Sequence, residues 1–161
     1  MNSEISGIIL IFGIAILISV PLGKYIANVF AGSKTPLDFL QPAEKLIYRF
    51  CGIDPATEMD WKQNLKALLT VNLVWLLYAM IMLMTQGALF LNPDGNPSQS
   101  PDLAFNTSIS FMVNCDLQHY SGESGATYLT QIAVITFLMF VSAATGIAAA
   151  AIFFRALRDR V

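Results

Sequence analysis

Within the nine residues 113–121 the chain places a carboxylate at Asp116, carboxamides at Asn114 and Gln118, a thiol at Cys115, its only histidine at His119 and a hydroxyl at Ser121. Three kinds of chemistry use such groups. A transition-metal centre needs several nitrogen or thiolate ligands converging, so a lone His119 reads as packing or hydrogen bonding around a loop. A Ser-His-Asp nucleophile needs a base within hydrogen-bond reach of the hydroxyl and an orienting acid behind it. Asp116, His119 and Ser121 supply the residue types, but positions two and three apart in an extended segment alternate faces or splay apart. The third chemistry is cation binding. A carboxylate beside an ion path raises the local cation concentration, and a water-facing loop acid is its plainer reading. Cys115 reads mainly as a small packed side chain.

The elements that must position these groups follow from composition. Of 161 residues, 55% are hydrophobic and 12% charged, against about a quarter charged in ordinary globular chains. That balance argues against a soluble monomer. A net charge of −2 without a basic cluster leaves no electrostatic footprint for nucleic acid. Crossing a hydrocarbon core about 30 Å thick takes roughly 20 helical residues, and the apolar runs 5–23, 65–84 and 126–154 are long enough. Pro21 and Gly23 predict a change of direction after the first run. A cleavable signal peptide is the alternative there, but Glu4 makes the leader acidic, the core is long and no Ala-x-Ala follows. In the third run Ser142, Gly146 and Ala150 recur at four-residue spacing among alanines, a pattern that lets membrane helices approach closely. Its length predicts tilt or a bend near Thr145 and Gly146.

Orientation follows from the nine basic residues, because Lys and Arg near membrane ends stay cytoplasmic. Lys24, Lys34, Lys45, Arg49, Lys62 and Lys66 lie between the first two runs, and Arg155, Arg158 and Arg160 follow the third. The expectation is an N-terminus outside and a C-terminus in the cytoplasm. In the connection between the first two runs, Leu40, Ala43, Leu46, Ile47 and Phe50 recur at helical spacing beside Glu44, Lys45 and Arg49, predicting a short helix on the membrane surface. Asp54 and Pro55 form a turn, Thr57 and Asp60 have capping-box spacing, and Trp61 suits the headgroup level. Cys51 and Cys115 fall on opposite sides in this topology, which excludes a disulfide between them.

The outer segment 85–125 carries the candidate chemistry. Its turn material, Asn92-Pro93-Asp94-Gly95-Asn96-Pro97, precedes a helix start at Ser100, Pro101 and Asp102. A helix Pro101–Met112 has 12 residues, about 18 Å at 1.5 Å per residue, or half a bilayer. Entering from outside, it would aim its negative dipole end at the membrane interior and favour a cation there. The polar stretch after it must then return outward, lining a watery cavity or buried in protein. Helix, half-depth helix, extended return and helix is also the layout of a potassium-channel repeat. An amphipathic helix lying flat outside, with a polar loop behind it, fits these patterns as well.

The local sequences are more specific. Glu58-Met59-Asp60-Trp61-Lys62-Gln63, Leu91-Asn92-Pro93, Asp102-Leu103-Ala104-Phe105-Asn106-Thr107, Gln118-x-Tyr120-Ser121-Gly122-Glu123 and Phe140-Val141-Ser142-Ala143-Ala144-Thr145-Gly146-Ile147-Ala148 occur in this order. Together, over about residues 21–158, they resemble the amino-terminal part of the potassium-binding, channel-like A subunits of the Kdp potassium-transporting P-type ATPases. The resemblance implies an all-α integral membrane protein with three transmembrane helices, one re-entrant pore helix and a filter loop. This is one of the family's four repeats plus its extra leading span. On that template residues 1–23 hold the leading transmembrane helix, 24–64 the cytoplasmic connection with its surface helix, and 65–161 the first helix, pore helix, filter, helix repeat. The family's filter reads approximately Thr-Asn-Thr-Asn, then one residue and Gln. Here Asn114 and Gln118 match, whereas Val113, Cys115 and Asp116 depart, which bears on selectivity and affinity. Because carbonyls coordinate independently of side-chain identity, the resemblance implies K+ held by Val113, Asn114, Cys115 and Asp116. It gives Gln118 a place at the filter entrance, with loop packing as its plainer reading.

The function so implied is a component of an ATP-driven, high-affinity potassium uptake complex in the bacterial plasma membrane, selecting extracellular K+. The chain contains neither a Walker-type Gly-rich loop nor an Asp-Lys-Thr-Gly-Thr phosphorylation sequence. It is therefore expected to be non-catalytic, with ATP hydrolysed by a catalytic P-type ATPase subunit and with small accessory subunits completing the complex in the lipid bilayer. The alternative is a self-assembled homo-oligomeric potassium channel closed from one repeat per chain.

Overall fold

The computed structural model describes residues 3–159, and among them the regular structure is helical, with no strand. Among the described residues three helical stretches are long and apolar enough to cross a membrane: Glu4–Phe30, Trp61–Ala88 and Tyr128–Arg158. The chain forms two compact units, Met1–Glu58 and Met59–Val161.

In the first unit α1 (Ser3–Phe30) continues through Pro21 and Gly23, where the sequence predicts a change of direction. Pro21 removes one backbone donor, yet in an apolar surrounding a broken helix would orphan many more groups than a continuous one. The stop is set further on, by Gly32. Its φ of +66° places it in the left-handed region, and Ser33 N–H reaches back to the Asn28 carbonyl at 2.9 Å while Gly32 N–H bonds Val29, as in a Schellman cap. The helix α2 (Gln41–Cys51) matches the predicted short amphipathic helix and ends at Gly52, also left-handed. Leu46, Ile47 and Phe50 are exposed, Phe50 at 91%.

Thr57 does not cap the next helix. Its hydroxyl donates to Asp54 Oδ2 at 2.8 Å, and Ala56 N–H donates to Asp54 Oδ1 at 3.0 Å. The Ala56 amide and then the Thr57 hydroxyl hold the Asp54 carboxyl below its ordinary range. The box forms one turn later. Asp60 accepts from Gln63 N–H at 2.7 Å while Gln63 Oε1 accepts from Asp60 N–H at 2.9 Å, starting α3 (Trp61–Thr85). The reciprocal pair needs a carboxamide or carboxylate at the third helical position, which Gln63 supplies.

The second unit is a small helical packet. The short helix α4 (Pro101–Met112) packs against α3 and against the helix that closes the chain, α7 (Phe137–Asp159), which two short turns, α5 (Gly122–Gly125) and α6 (Tyr128–Thr130), precede. Ala79 and Leu83 of α3, Ala104 and Phe111 of α4, and Val134 and Leu138 make the buried core. Trp75, Tyr78 and Phe137 meet edge to face beside it, with Trp75 and Phe137 ring centroids 4.8 Å apart. Between α6 and α7 the residues Gln131–Thr136 form a π-helical segment, whose Ala133 carbonyl accepts from the Tyr78 hydroxyl at 2.9 Å. The irregularity of the third span lies here. Through Thr145 and Gly146 the helix is continuous, since Gly lacks a side chain but keeps its backbone donor. Of the small-residue row, Ser142 is buried, whereas Gly146 and Ala150 are exposed.

Truncating Leu83, which is fully buried, should cost about 3 kcal/mol. Thermal unfolding in detergent should show a clearly lowered midpoint for Leu83→Ala, and a much smaller change for Leu77→Ala, where the side chain is 51% exposed.

Candidate functional site

Seven consecutive exposed residues, Val113 to His119, follow the end of α4, and their backbone is folded tightly onto that end. Val113 N–H bonds the Ile109 carbonyl at 3.0 Å, Asn114 N–H the Phe111 carbonyl at 3.4 Å, and Cys115 and Asp116 N–H share the Ser110 carbonyl at 2.9 and 3.3 Å. Leu117 N–H then bonds the Ser110 hydroxyl at 2.6 Å. Asn114, at φ +57°, is the left-handed residue of a Schellman cap, a position that Asn tolerates better than most side chains. Asp116 repeats the left-handed turn at φ +55°.

In a planar trans peptide the N–H and the preceding C=O point in opposite directions. Turning the N–H groups of Asn114, Cys115, Asp116 and Leu117 toward α4 therefore turns the carbonyls of Val113, Asn114, Cys115 and Asp116 away from it. Among the described residues no hydrogen bond ends on these carbonyls. The arrangement also satisfies the Ile109, Ser110 and Phe111 carbonyls, so that beside its dipole α4 offers at its end only the Met112 carbonyl as a free acceptor among the described residues.

The loop also touches α7. Ser142 donates to Asn114 Oδ1 at 3.4 Å, and Ser142 stands next to the midpoint of the span Tyr128–Arg158. At the other end of α4, Ser100 adopts the extended N-cap conformation but makes no side-chain cap bond. Its hydroxyl, followed by the Asp102 amide, holds the Asp102 carboxyl below its ordinary range.

Both ends of the outer segment are tied by Gln86, which is fully buried at the end of α3. Its Nε2 donates to the Pro97 and Gly125 carbonyls at 2.8 and 3.0 Å. Its Oε1 accepts from Thr127 N–H at 3.3 Å and the Thr130 hydroxyl at 2.8 Å. Gln99 Nε2 adds a second bond to Gly125, and Asn96 Nδ2 reaches the Ala126 carbonyl at 3.1 Å. Tyr120 closes over this knot. A Cβ on Gly125 would stand 2.6 Å from Tyr120 Cδ2, so only glycine admits the ring. Burial pushes the Tyr120 phenol up, and the Gln118 side chain beside it opposes the shift. No well-aligned hydrogen bond forms to the Tyr120 hydroxyl among the described residues.

The structure thus brings Val113, Asn114, Cys115 and Asp116 into one turn and places Gln118 on the return beside Tyr120. It does not assemble a triad, because the Ser121 hydroxyl donates to Glu123 Oε2 at 3.0 Å. Cys51 and Cys115 are both free and exposed. Sequence reasoning missed Ser110 and Gln86. Asn114, directly beyond an apolar helix, carried a usable signal for a left-handed cap; Gln86 carried none, since its partners lie 11 to 44 residues away.

A family model described as potassium-transporting ATPase A subunit matches residues 9–161. Similar proteins include the potassium-transporting ATPase potassium-binding subunit of Flavobacterium johnsoniae, 57% identical over 99% of this chain and 28% of its own length. The subunit of the same name from Bacteroides thetaiotaomicron is 57% identical over 94% of this chain and 27% of its own length. That of Alicyclobacillus acidocaldarius is 45% identical over 95% and 28%. The chain spans little more than a quarter of the length of the curated relatives it matches.

Replacing Gln86 by Leu strands buried donors and acceptors on both sides of the loop, which should cost about 3 kcal/mol. Hydrogen exchange should accelerate selectively over residues 122–127 in Gln86→Leu, while α7 keeps its protection.

Proposed function

This chain belongs to the potassium-transporting ATPase A subunit family, and on that premise we propose that it supplies one K+-binding filter segment of an ATP-driven potassium uptake complex. The three apolar helices and the family together make it a multi-pass membrane protein. The observation that carries the proposal is the contact of Asn114 with Ser142 near the middle of the third span. A helix lying flat outside would not deliver its end to that depth. The packing of α4 between α3 and α7 supports the same re-entrant reading over the flat one.

The chemistry follows from the peptide planes. Four successive carbonyl dipoles facing one way can stand in for the hydration shell of a monovalent cation, as rings of carbonyls do in selective pores. The negative end of α4 lies behind them, and Asp116 adds a formal charge at the return. Val113, Cys115 and Asp116 coordinate through backbone oxygens, so their departure from the family's residues leaves the donor set intact. Gln118 stands where an ion would enter from outside. ATP is hydrolysed on a catalytic partner subunit, with small accessory subunits in the same bacterial plasma membrane. The N-terminus lies outside, the C-terminus lies in the cytoplasm, and α2 rests on the inner surface. Residues 1–23, 24–64 and 65–161 serve as leading span, cytoplasmic connection and first repeat. The relatives' names, which describe a potassium-binding subunit, support K+ as cargo.

The test is K+-stimulated ATP hydrolysis by the assembled complex carrying this segment, beside rubidium flux into liposomes holding the 161-residue chain alone. Stimulation is expected in the complex, with half-saturating K+ raised about tenfold by Asp116→Asn, and no flux is expected from the chain alone. A complex indifferent to K+ would sink the proposal. Selective flux from the isolated chain would favour a homo-oligomeric channel instead.

A further inference from the structure

We infer that Ser110 is a positioning residue for ion discrimination, acting through the direction of the Asp116 carbonyl and without touching the ion; this rests on the filter reading above. Ser110 is buried on α4, with 6% of its surface exposed. Its carbonyl receives the Cys115 and Asp116 amides, a service any residue at this position would perform. Its hydroxyl is different. It accepts Leu117 N–H at 2.6 Å, and only a side chain with an acceptor at the γ position can do so.

That bond sets one peptide plane. Leu117 N–H and the Asp116 carbonyl belong to the same plane and point oppositely, so anchoring the amide on Ser110 aims the carbonyl outward. The anchor matters most at this place for two reasons. Asp116 sits at φ +55°, a conformation that a residue with a Cβ leaves readily when nothing holds it. The Asp116 amide, moreover, has only the longer share, 3.3 Å, of a carbonyl it divides with Cys115. Without the hydroxyl the plane between Asp116 and Leu117 can rotate, and the last of the aligned carbonyls swings out of the set. Losing one dipole weakens the field that must replace the hydration shell, and it loosens the spacing by which cations of different radius are told apart.

The experiment compares Ser110→Ala, Ser110→Cys and Ser110→Thr in the assembled complex, reading the half-saturating concentrations of K+ and Rb+ for stimulation of ATP hydrolysis. Alanine removes the acceptor, cysteine replaces it with a poor one at nearly the same volume, and threonine retains it. The expected result is a five- to tenfold rise, by about the worth of one hydrogen bond, in half-saturating K+ for alanine and cysteine. The Rb+ to K+ ratio should fall toward one, with threonine restoring both. That ratio is independent of how much complex assembles, so a loss of yield does not mimic it. An unchanged ratio in both Ser110→Ala and Ser110→Cys would overturn the inference and leave the filter reading standing. Absence of any K+ response in the unsubstituted complex would overturn both.

Discussion

A helix end leaves its last carbonyls without intrahelical partners, and the irregular chain beyond it brings N–H groups that need acceptors of their own. Here the two sets answer each other. The amides of residues 113–116 return to the carbonyls of Ile109, Ser110 and Phe111, that of Leu117 returns to the Ser110 hydroxyl, and the direction of the carbonyls of residues 112–116 is a by-product of that closure. What looks like a feature built for a ligand is therefore also the cheapest way to finish the helix. The two roles are inseparable in the geometry, because satisfying the amides and presenting the oxygens are opposite ends of the same peptide planes.

The surrounding anchors are neutral. Gln86, Gln99, Asn96, Thr127 and Thr130 hold the outer segment with carboxamides, hydroxyls and backbone groups. In a region of low dielectric a neutral network rigidifies without the desolvation cost of a charge, and of its side-chain atoms Gln99 Oε1 is the one left without a partner among the described residues. Tyr120 packed on Gly125 lends the return apolar cover where the amide network ends.

How much of this was legible depended on the range of the interaction that decides each element. Apolar runs located the three long helices, and the pairing of Ser100 and Pro101 with the length of the following run gave Pro101–Met112 to the residue. Local signals with two readings went astray. Pro21 and Gly23 are stop signals only where the helix can afford to break, and Gly32 supplied the actual stop. Thr57 has cap chemistry but serves Asp54. Gln86 and Ser110 were invisible for a different reason. The partners of Gln86 lie 11 to 44 residues away, whereas those of Ser110 are near in sequence but reach it only because Asn114 and Asp116 turn left-handed.

The π-helical segment Gln131–Thr136 divides the third span into two angular settings. Compared with an α-helix, a wider turn accommodates an additional residue, and one residue corresponds to about 100° of rotation. Outside it, Thr127 and Thr130 face Gln86; below it, Ser142 faces Asn114. A uniform helix would gear these two contacts together, so that tuning one would misphase the other. The wide turn sets a fixed offset between them, so that one continuous rod meets Gln86 with one face and Asn114 with another.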